Sequence, residues 1–247
     1  MFSPAKNKIG YTLITGATST IGSEVARSRA ATDYLLLHGR DRSALEVLAS
    51  ELRITTEVKI WCRDLANLEG LHGEFLQLLE RDGLRIERVI HAAGTFKILP
   101  LRLFELTDTM AIYSVNVFSI IEILRVLARK PYRDELLSVV VLSALVSKFG
   151  DKGNAIYSSS KGALNSLVKG LAVEFPQTRF NALILGAVRT HMTEHLFSDG
   201  DVAQKFSRYT LGTGTPADVA DAIDFLLRDG LWMTGQEIFL DGGASAS

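Results

Sequence analysis

The sequence predicts an α/β fold: a doubly wound parallel sheet of about seven strands in one domain. Three observations carry that reading. Seven short apolar runs recur along the 247 residues: "YTLIT", "YLLLH", "EVKIW", "RVIHAA", "SVVVLS", "RFNALIL" and "QEIFL". Most are continuously apolar and do not alternate, as strands are when helices cover both faces. The segments between them are long enough for the crossover helices that parallel pairing requires. No repeat, low-complexity tract or Pro/Gly-rich linker divides the chain, so a single domain spans residues 1–247.

Length and charge narrow the function classes. A chain of this size buries roughly 70–75% of its unfolded surface. It is 47% hydrophobic and 22% charged with a net charge of −1, which supplies no field for nucleic acid or an anionic membrane. The single cysteine, Cys62, forms no internal disulfide, and "MFSPAKNKIG" has no apolar signal stretch; the expected location is the cytoplasm. No metal site is expected.

Taken in chain order, the first strand runs into "LITGATSTIGSEVA". Gly16 and Gly22 bracket a turn there, and the backbone amides from Thr18 through Ser19, Thr20 and Ile21 can receive a pyrophosphate at the start of the first helix. Such a turn also needs glycine for steric reasons alone. The second strand ends in "LLLHGRDRS". About twenty residues after the glycine turn, where an acidic residue would grip the ribose of NAD, stands Arg40, whose planar fork suits the 2′-phosphate of NADP. Asp41 is placed to cap the next helix. The run "MAIYSVNVFSIIEILRVLA" is broken by Asn116, Glu122 and Arg125, short of the roughly 18 uninterrupted apolar residues of a membrane span, and reads as a buried helix. Its apolar residues surround most of a helix over about 112–129, more than one sheet-facing stripe uses. The outer face predicts self-association as a symmetric dimer. In "GNAIYSSSKGALNSL", Tyr157 and Lys161 lie four apart on an amphipathic helix and share one face.

The ordered set "TGATSTIG", "RDL" with Asp64, "HAAG" at 91–94, Asn116, "YSSSK", "LGAVRT", "TPADVA" and "TGQEIFLDGG" resembles the compact, single-domain branch of the short-chain dehydrogenase/reductases, in its 3-oxoacyl-ACP-reductase-like form. The resemblance spans essentially the whole chain. It implies a Rossmann-type sheet, an NADP(H) cofactor and a small carbonyl or alcohol substrate. Asp64 with Leu65 would contact the adenine, and Ala92, Ala93 and Gly94 would line the cofactor cleft. Gly186, Val188 and Thr190 would hold the nicotinamide amide, and Lys161 the ribose. A lid over about 191–215 would cover the substrate, with His191, Met192, His195, Leu196 and Phe197 able to touch it, and assembly into a tetramer is suggested. The chain departs from the family pattern at Thr20, for a middle glycine, at Leu185-Gly186, for Pro-Gly, and at His91, for asparagine. His91 is read as a hydrogen-bonded sheet residue without a catalytic role.

The chemistry follows from the residue types. A tyrosine of ordinary pKa near 10 is a poor acid or base at neutral pH, and an ammonium one helical turn away favours its phenolate. Tyr157 would then give its proton to a carbonyl oxygen while the cofactor supplies hydride. Asn116, a poor helix former inside an apolar helix, would by resemblance hold a water serving Lys161; otherwise it is a satisfied polar residue at a helix irregularity. Family members commonly carry a substrate-orienting serine thirteen residues before the tyrosine, where this chain has Ala144, with Ser143 one step off. If the strand stays regular, Ser143 turns away from the cleft. The favoured expectation is instead an extra residue in the following loop, with Ala144 beginning that loop and Ser143 acting as the catalytic serine. The competing functional class is a nonenzymatic NADP-binding sensor. A nucleotide-sugar epimerase is disfavoured, since no substrate domain follows "LDGG".

Overall fold

The computed structural model describes residues 10–191, 193–194, 206 and 209–246. Seven parallel strands form one sheet in the order β3-β2-β1-β4-β5-β6-β7. They are β1 (Tyr11–Thr15), β2 (Tyr34–Gly39), β3 (Val58–Cys62), β4 (Ile86–His91), β5 (Ser138–Ala144), β6 (Arg179–Leu185) and β7 (Gln236–Leu240). The helices are α1 (Thr20–Arg29), α2 (Arg42–Leu52), α3 (Leu71–Asp82), α4 (Leu106–Tyr113), α5 (Ser119–Leu127), α6 (Val146–Phe149), α7 (Ala155–Glu174) and α8 (Pro216–Arg228). Alternate strand residues feed two separate cores. Leu13, Val89, Val139, Val141 and Ile184 pack with Phe75, Ile123, Leu164 and Val168 of α3, α5 and α7. Ile14, Ile90, Val140, Leu142 and Leu183 pack with Val25, Leu45, Val219 and Ile223 of α1, α2 and α8. Both faces of the central strands are dry, which is why β1 and β5 read as unbroken apolar runs, while edge strand β7 is only partly covered.

Helix starts follow the expected capping chemistry. Ser19 accepts from the Gly22 amide at 3.0 Å, Asp41 from Ala44 at 3.1 Å, and Thr215 with Asp218 closes a capping box ahead of Pro216. The chain order reverses between β1 and β4, so the crevice at the carboxyl ends of those two strands is where such a sheet binds ligands.

Three expectations need correction. The apolar helix starts earlier than 112 and is not continuous: α4 and α5 are joined by a π turn over Ser114–Phe118. Leu106–Leu127, with a mean hydropathy of 1.7, is long and apolar enough to cross a membrane by composition. What accounts for its apolarity is burial of Ile112, Val117, Ile120, Ile123 and Leu127 in the core, not the polar interruptions. Finally, β5 pairs with β6 without a break from Ser138↔Arg179 to Ala144↔Leu185. Ala144 closes the strand and does not begin the loop, so Ser143 is not carried into the position expected of it.

Candidate active site

The glycine turn is built by close approach of backbones. Gly16 has φ +67°, and a Cβ there would lie 2.8 Å from the Ala93 backbone; one on Gly22 would lie 2.2 Å from the Gly16 carbonyl. Thr18 sits against Gly39 across the turn. Thr20 and Ile21 open α1, and their N–H groups are among the donors a helix start leaves without intrahelical partners. Thr20 is exposed, so a side chain in place of glycine costs nothing, and its hydroxyl accepts from the His191 amide at 3.3 Å. The turn fits a dinucleotide phosphate: the positions that approach other backbone are glycines, and an anion-attracting helix end faces it.

Sequence reasoning gave His38 no part in this. Its Nδ1 accepts from the Gly16 amide at 3.4 Å and its Nε2 lies 3.0 Å from the Arg63 carbonyl, so Nε2 carries the proton. Burial pushes its pKa down to about 4. The signal was a histidine inside an otherwise apolar strand end. Arg40 follows Gly39 at the exposed tip of β2. Asp64 lies just past β3, exposed, its carboxylate accepting from the Ala66 amide at 2.9 Å, while Leu65 is buried. Asp64 is therefore a turn former and not a helix cap.

Ala92, Ala93 and Gly94 leave the end of β4, where the Ala93 amide donates to the Thr15 hydroxyl at 3.2 Å. A Cβ on Gly94 would come 3.4 Å from the Lys161 Nζ and 3.6 Å from the Asn116 Oδ1, so Gly94 lies between those two groups. Asn116 occupies the π turn, and its buried amide is satisfied. Oδ1 accepts from the Thr95 amide at 2.8 Å; Nδ2 donates to the Thr95 carbonyl at 3.0 Å and to the Ser160 hydroxyl at 2.9 Å.

Tyr157 and Lys161 share the first turns of α7. The Phe96 ring packs against Tyr157 with centroids 5.7 Å apart, and the Lys161 Nζ lies 5.8 Å from the tyrosine ring centroid. The lysine donates to the Leu142 carbonyl at 2.8 Å. Burial pushes the Tyr157 phenol up to about 12 and the Lys161 ammonium down to about 8. The expectation of a lysine-stabilised phenolate is not met here: the shift is upward, and burial is its cause. At neutral pH the tyrosine keeps its proton, and the amine beside it titrates close by.

Ser143 does not join this group. It is 3% exposed, and its hydroxyl donates to the Lys161 backbone carbonyl at 3.3 Å, on the same sheet face as Val139 and Val141. Strand alternation sends half-buried Ala144 the other way. Ser143→Ala is therefore expected to change turnover by less than about threefold. Ala144→Ser, which adds a donor for a developing oxyanion, should raise it at least about fivefold. Steady-state rates on one carbonyl substrate check both, and a tenfold loss in the Ser143 variant would restore that serine to the site.

After β6, a Cβ on Gly186 would lie 2.8 Å from Asp241 and Tyr209, which explains a glycine beside Leu185. Val188 is buried and bridges to Gly214. The Thr190 hydroxyl meets that of Thr193 at 2.9 Å. Of the residues expected in a substrate lid, His191 is exposed; Met192, His195, Leu196 and Phe197 lie outside the described residues.

The sequence model of a family described as enoyl-(acyl carrier protein) reductase matches residues 16–245. The 3-oxoacyl-[acyl-carrier-protein] reductase FabG of Rickettsia felis (strain ATCC VR-1525 / URRWXCal2) is 28% identical over 236 residues, 94% of this chain and 95% of that protein. A crystal structure from Beutenbergia cavernae, described as an NAD(P)-dependent gluconate 5-dehydrogenase with bound NADP at low occupancy, superposes with a TM-score of 0.87 at 26% identity. It covers 96% of this chain and 97% of that one. A 4-hydroxyisoleucine dehydrogenase complexed with NADH superposes with a TM-score of 0.88 at 25% identity, covering 96% and 99%.

Proposed function

This chain belongs to the short-chain dehydrogenase/reductase family, in its 3-oxoacyl-ACP-reductase-like branch, and from that premise we propose that it is an NADP(H)-dependent reductase of carbonyl compounds, or dehydrogenase of the matching secondary alcohols. One observation carries the reading. Lys161, one helical turn from Tyr157, stands beside Gly94 and Asn116 at the carboxyl ends of the central strands, where the glycine turn also lies. The nicotinamide cofactor, when bound, supplies the hydride that adds to the carbonyl carbon. The Tyr157 hydroxyl gives its proton to the carbonyl oxygen, and Lys161 would hold the ribose of the cofactor and exchange a proton with its surroundings. The turn from Gly16 to Gly22 would hold the pyrophosphate, Asp64 and Leu65 the adenine, and Val188 and Thr190 the carboxamide. The test is NADPH consumption by the purified protein against ketones, β-ketoacyl thioesters and quinones. Tight NADPH binding with no turnover on any of them would favour the sensor, whose one supporting feature is the absence of a serine hydroxyl at position 144.

The relatives are described with NADP in one case and NADH in another, so the preference rests on Arg40. A charge-assisted contact to a 2′-phosphate contributes about 1.5–3 kcal/mol. NADPH should bind at least about tenfold tighter than NADH, and Arg40→Ala should erase most of that ratio. Equal dissociation constants in the unmutated protein would refute it.

Self-association as a dimer or tetramer belongs to the same proposal. Much of the helix over about 112–129 is already buried, but Leu106 and Met110 of α4 and Val173 of α7 remain exposed. Trp232 is fully exposed beside edge strand β7, with Leu231, Phe225 and Phe239 also uncovered. Apolar surface of this extent calls for cover. Light scattering at micromolar concentration is expected to give at least twice the 27.1 kDa chain mass; a monomer would sink the idea.

A further inference from the structure

We propose that His91 is a positioning residue: its neutral imidazole, protonated on Nε2, holds the Asn116 carbonyl and thereby fixes the π turn that carries Asn116 into the site. The bonding leaves no choice of tautomer. The His91 Nε2 lies 3.1 Å from the Asn116 carbonyl oxygen, which can only accept, so Nε2 bears the hydrogen. Nδ1 is then an acceptor, and the Thr15 hydroxyl, 2.8 Å away, is its donor. The Thr15 oxygen accepts in turn from the Ala93 amide at 3.2 Å. The bonds run in one direction, from the Ala93 backbone through Thr15 and His91 to Asn116, and Thr15, His91 and Asn116 are each 0% exposed. Such a chain of bonds in a dry interior is strong when complete and costly when broken.

What the last bond holds is the place where the long helix departs from α geometry. In a π turn the regular i→i−4 ladder is interrupted: the Ser119 amide reaches back to the Ser114 carbonyl. A donor arriving from β4 fastens the middle of that turn to the sheet. The Asn116 side chain then spans from Thr95, just past Gly94, to Ser160, the residue before Lys161. One imidazole thus sets the spacing between the strand that lines the cleft and the helix that bears the tyrosine and lysine. A shorter side chain at position 91 would not extend from Thr15 to the π turn. Burial, reinforced by the Lys161 charge, pushes the His91 pKa down to about 3, so the ring is neutral at pH 7.

The inference rests on the reductase reading only for its turnover arm. Three measurements on the full chain test it. In the unmutated protein, histidine nitrogen NMR at pH 7 should show His91 protonated on Nε2 alone; an Nδ1–H form would overturn the proposal without any variant being made. His91→Met fills the space but donates nothing, and should speed amide hydrogen exchange over residues 114–119 at least tenfold. It should also lower kcat, counted per NADPH-binding site, at least tenfold. His91→Gln restores a donor near Nε2 and should bring both quantities back to within threefold of the unmutated protein. A merely structural role would lower the melting temperature and the fraction of competent sites while leaving kcat per site unchanged; that result overturns the proposal, as does a glutamine variant as impaired as the methionine one. If no carbonyl compound is reduced at all, the reductase reading fails, and the tautomer and exchange data still decide the role of His91.

Discussion

Tyr157→Phe is expected to lower turnover by about 10²–10⁴-fold while leaving NADPH affinity within a few-fold of the unmutated value. The substitution removes one hydroxyl and keeps the ring, which packs on Phe96, so the wall of the cleft survives. With the phenol pushed up to about 12 by burial, the tyrosine is protonated at neutral pH, the form in which it would serve as the acid of the proposed carbonyl reduction. Its absence leaves an alkoxide to form unprotonated in a poorly solvated site. In alcohol oxidation the same hydroxyl must first lose its proton, so the oxidative rate should rise with pH well above neutrality while reduction falls more gently. Steady-state kinetics together with fluorescence titration of NADPH separate the chemical from the binding effect. Near-normal rates in the phenylalanine variant would move the acid elsewhere and undo the mechanism.

The second large effect is on stability in mild acid. His38 and His91 are buried and neutral, with pKa values of about 4 and about 3, against about 6.5 in the unfolded chain. Above pH 6.5 neither state binds these protons and the two residues contribute no pH dependence. Below it the unfolded chain takes up two protons that the native protein refuses, so stability falls with falling pH until each folded value is passed. The loss integrates to about 3 kcal/mol for His38 and about 5 for His91, a large share of a typical stability of about 5–15 kcal/mol. Between pH 6.5 and 5, above the ordinary range of paired carboxylates, the melting temperature should already drop steeply. Calorimetry near pH 5 should find about two protons taken up on unfolding. A melting temperature that stays flat from pH 7 to 5 would show that both rings are protonated, or solvated, in the folded protein.

Much of this protein is legible in its sequence, because much of it is set by short-range chemistry. Two-sided burial forces continuously apolar strands, and all seven runs became strands. Glycines at 16 and 22 are read from the backbone approach they permit, and Asp41 from the cap it makes. A four-residue spacing on a helix puts Tyr157 and Lys161 on one face wherever that helix lies. The family likeness is of the same kind, an ordered set of local motifs, and residues 16–245 match a family model.

Other features depend on partners far away in the chain. Whether the strand ends at Ser143 or Ala144 turned on pairing with Leu185, forty-one residues on, and the side on which the serine hydroxyl falls follows from that one step of register. The π turn at Asn116 is invisible to a 3.6-residue periodicity, since an extra residue is accommodated only where β4 and α7 supply bonds to it. The upward shift of the Tyr157 pKa is not legible in spacing, which reveals a nearby ammonium but not how dry its surroundings are. His38 and His91 were single letters in apolar strands until the fold brought Gly16 and Arg63 to the one and Thr15 and Asn116 to the other. Sequence by itself determined the elements, the glycine turn and the tyrosine–lysine pair, each governed by neighbours within one or two turns. Tertiary structure alone decided register, desolvation and hydrogen-bond partners, because these are properties of the space between elements, and that space exists only once the chain has packed.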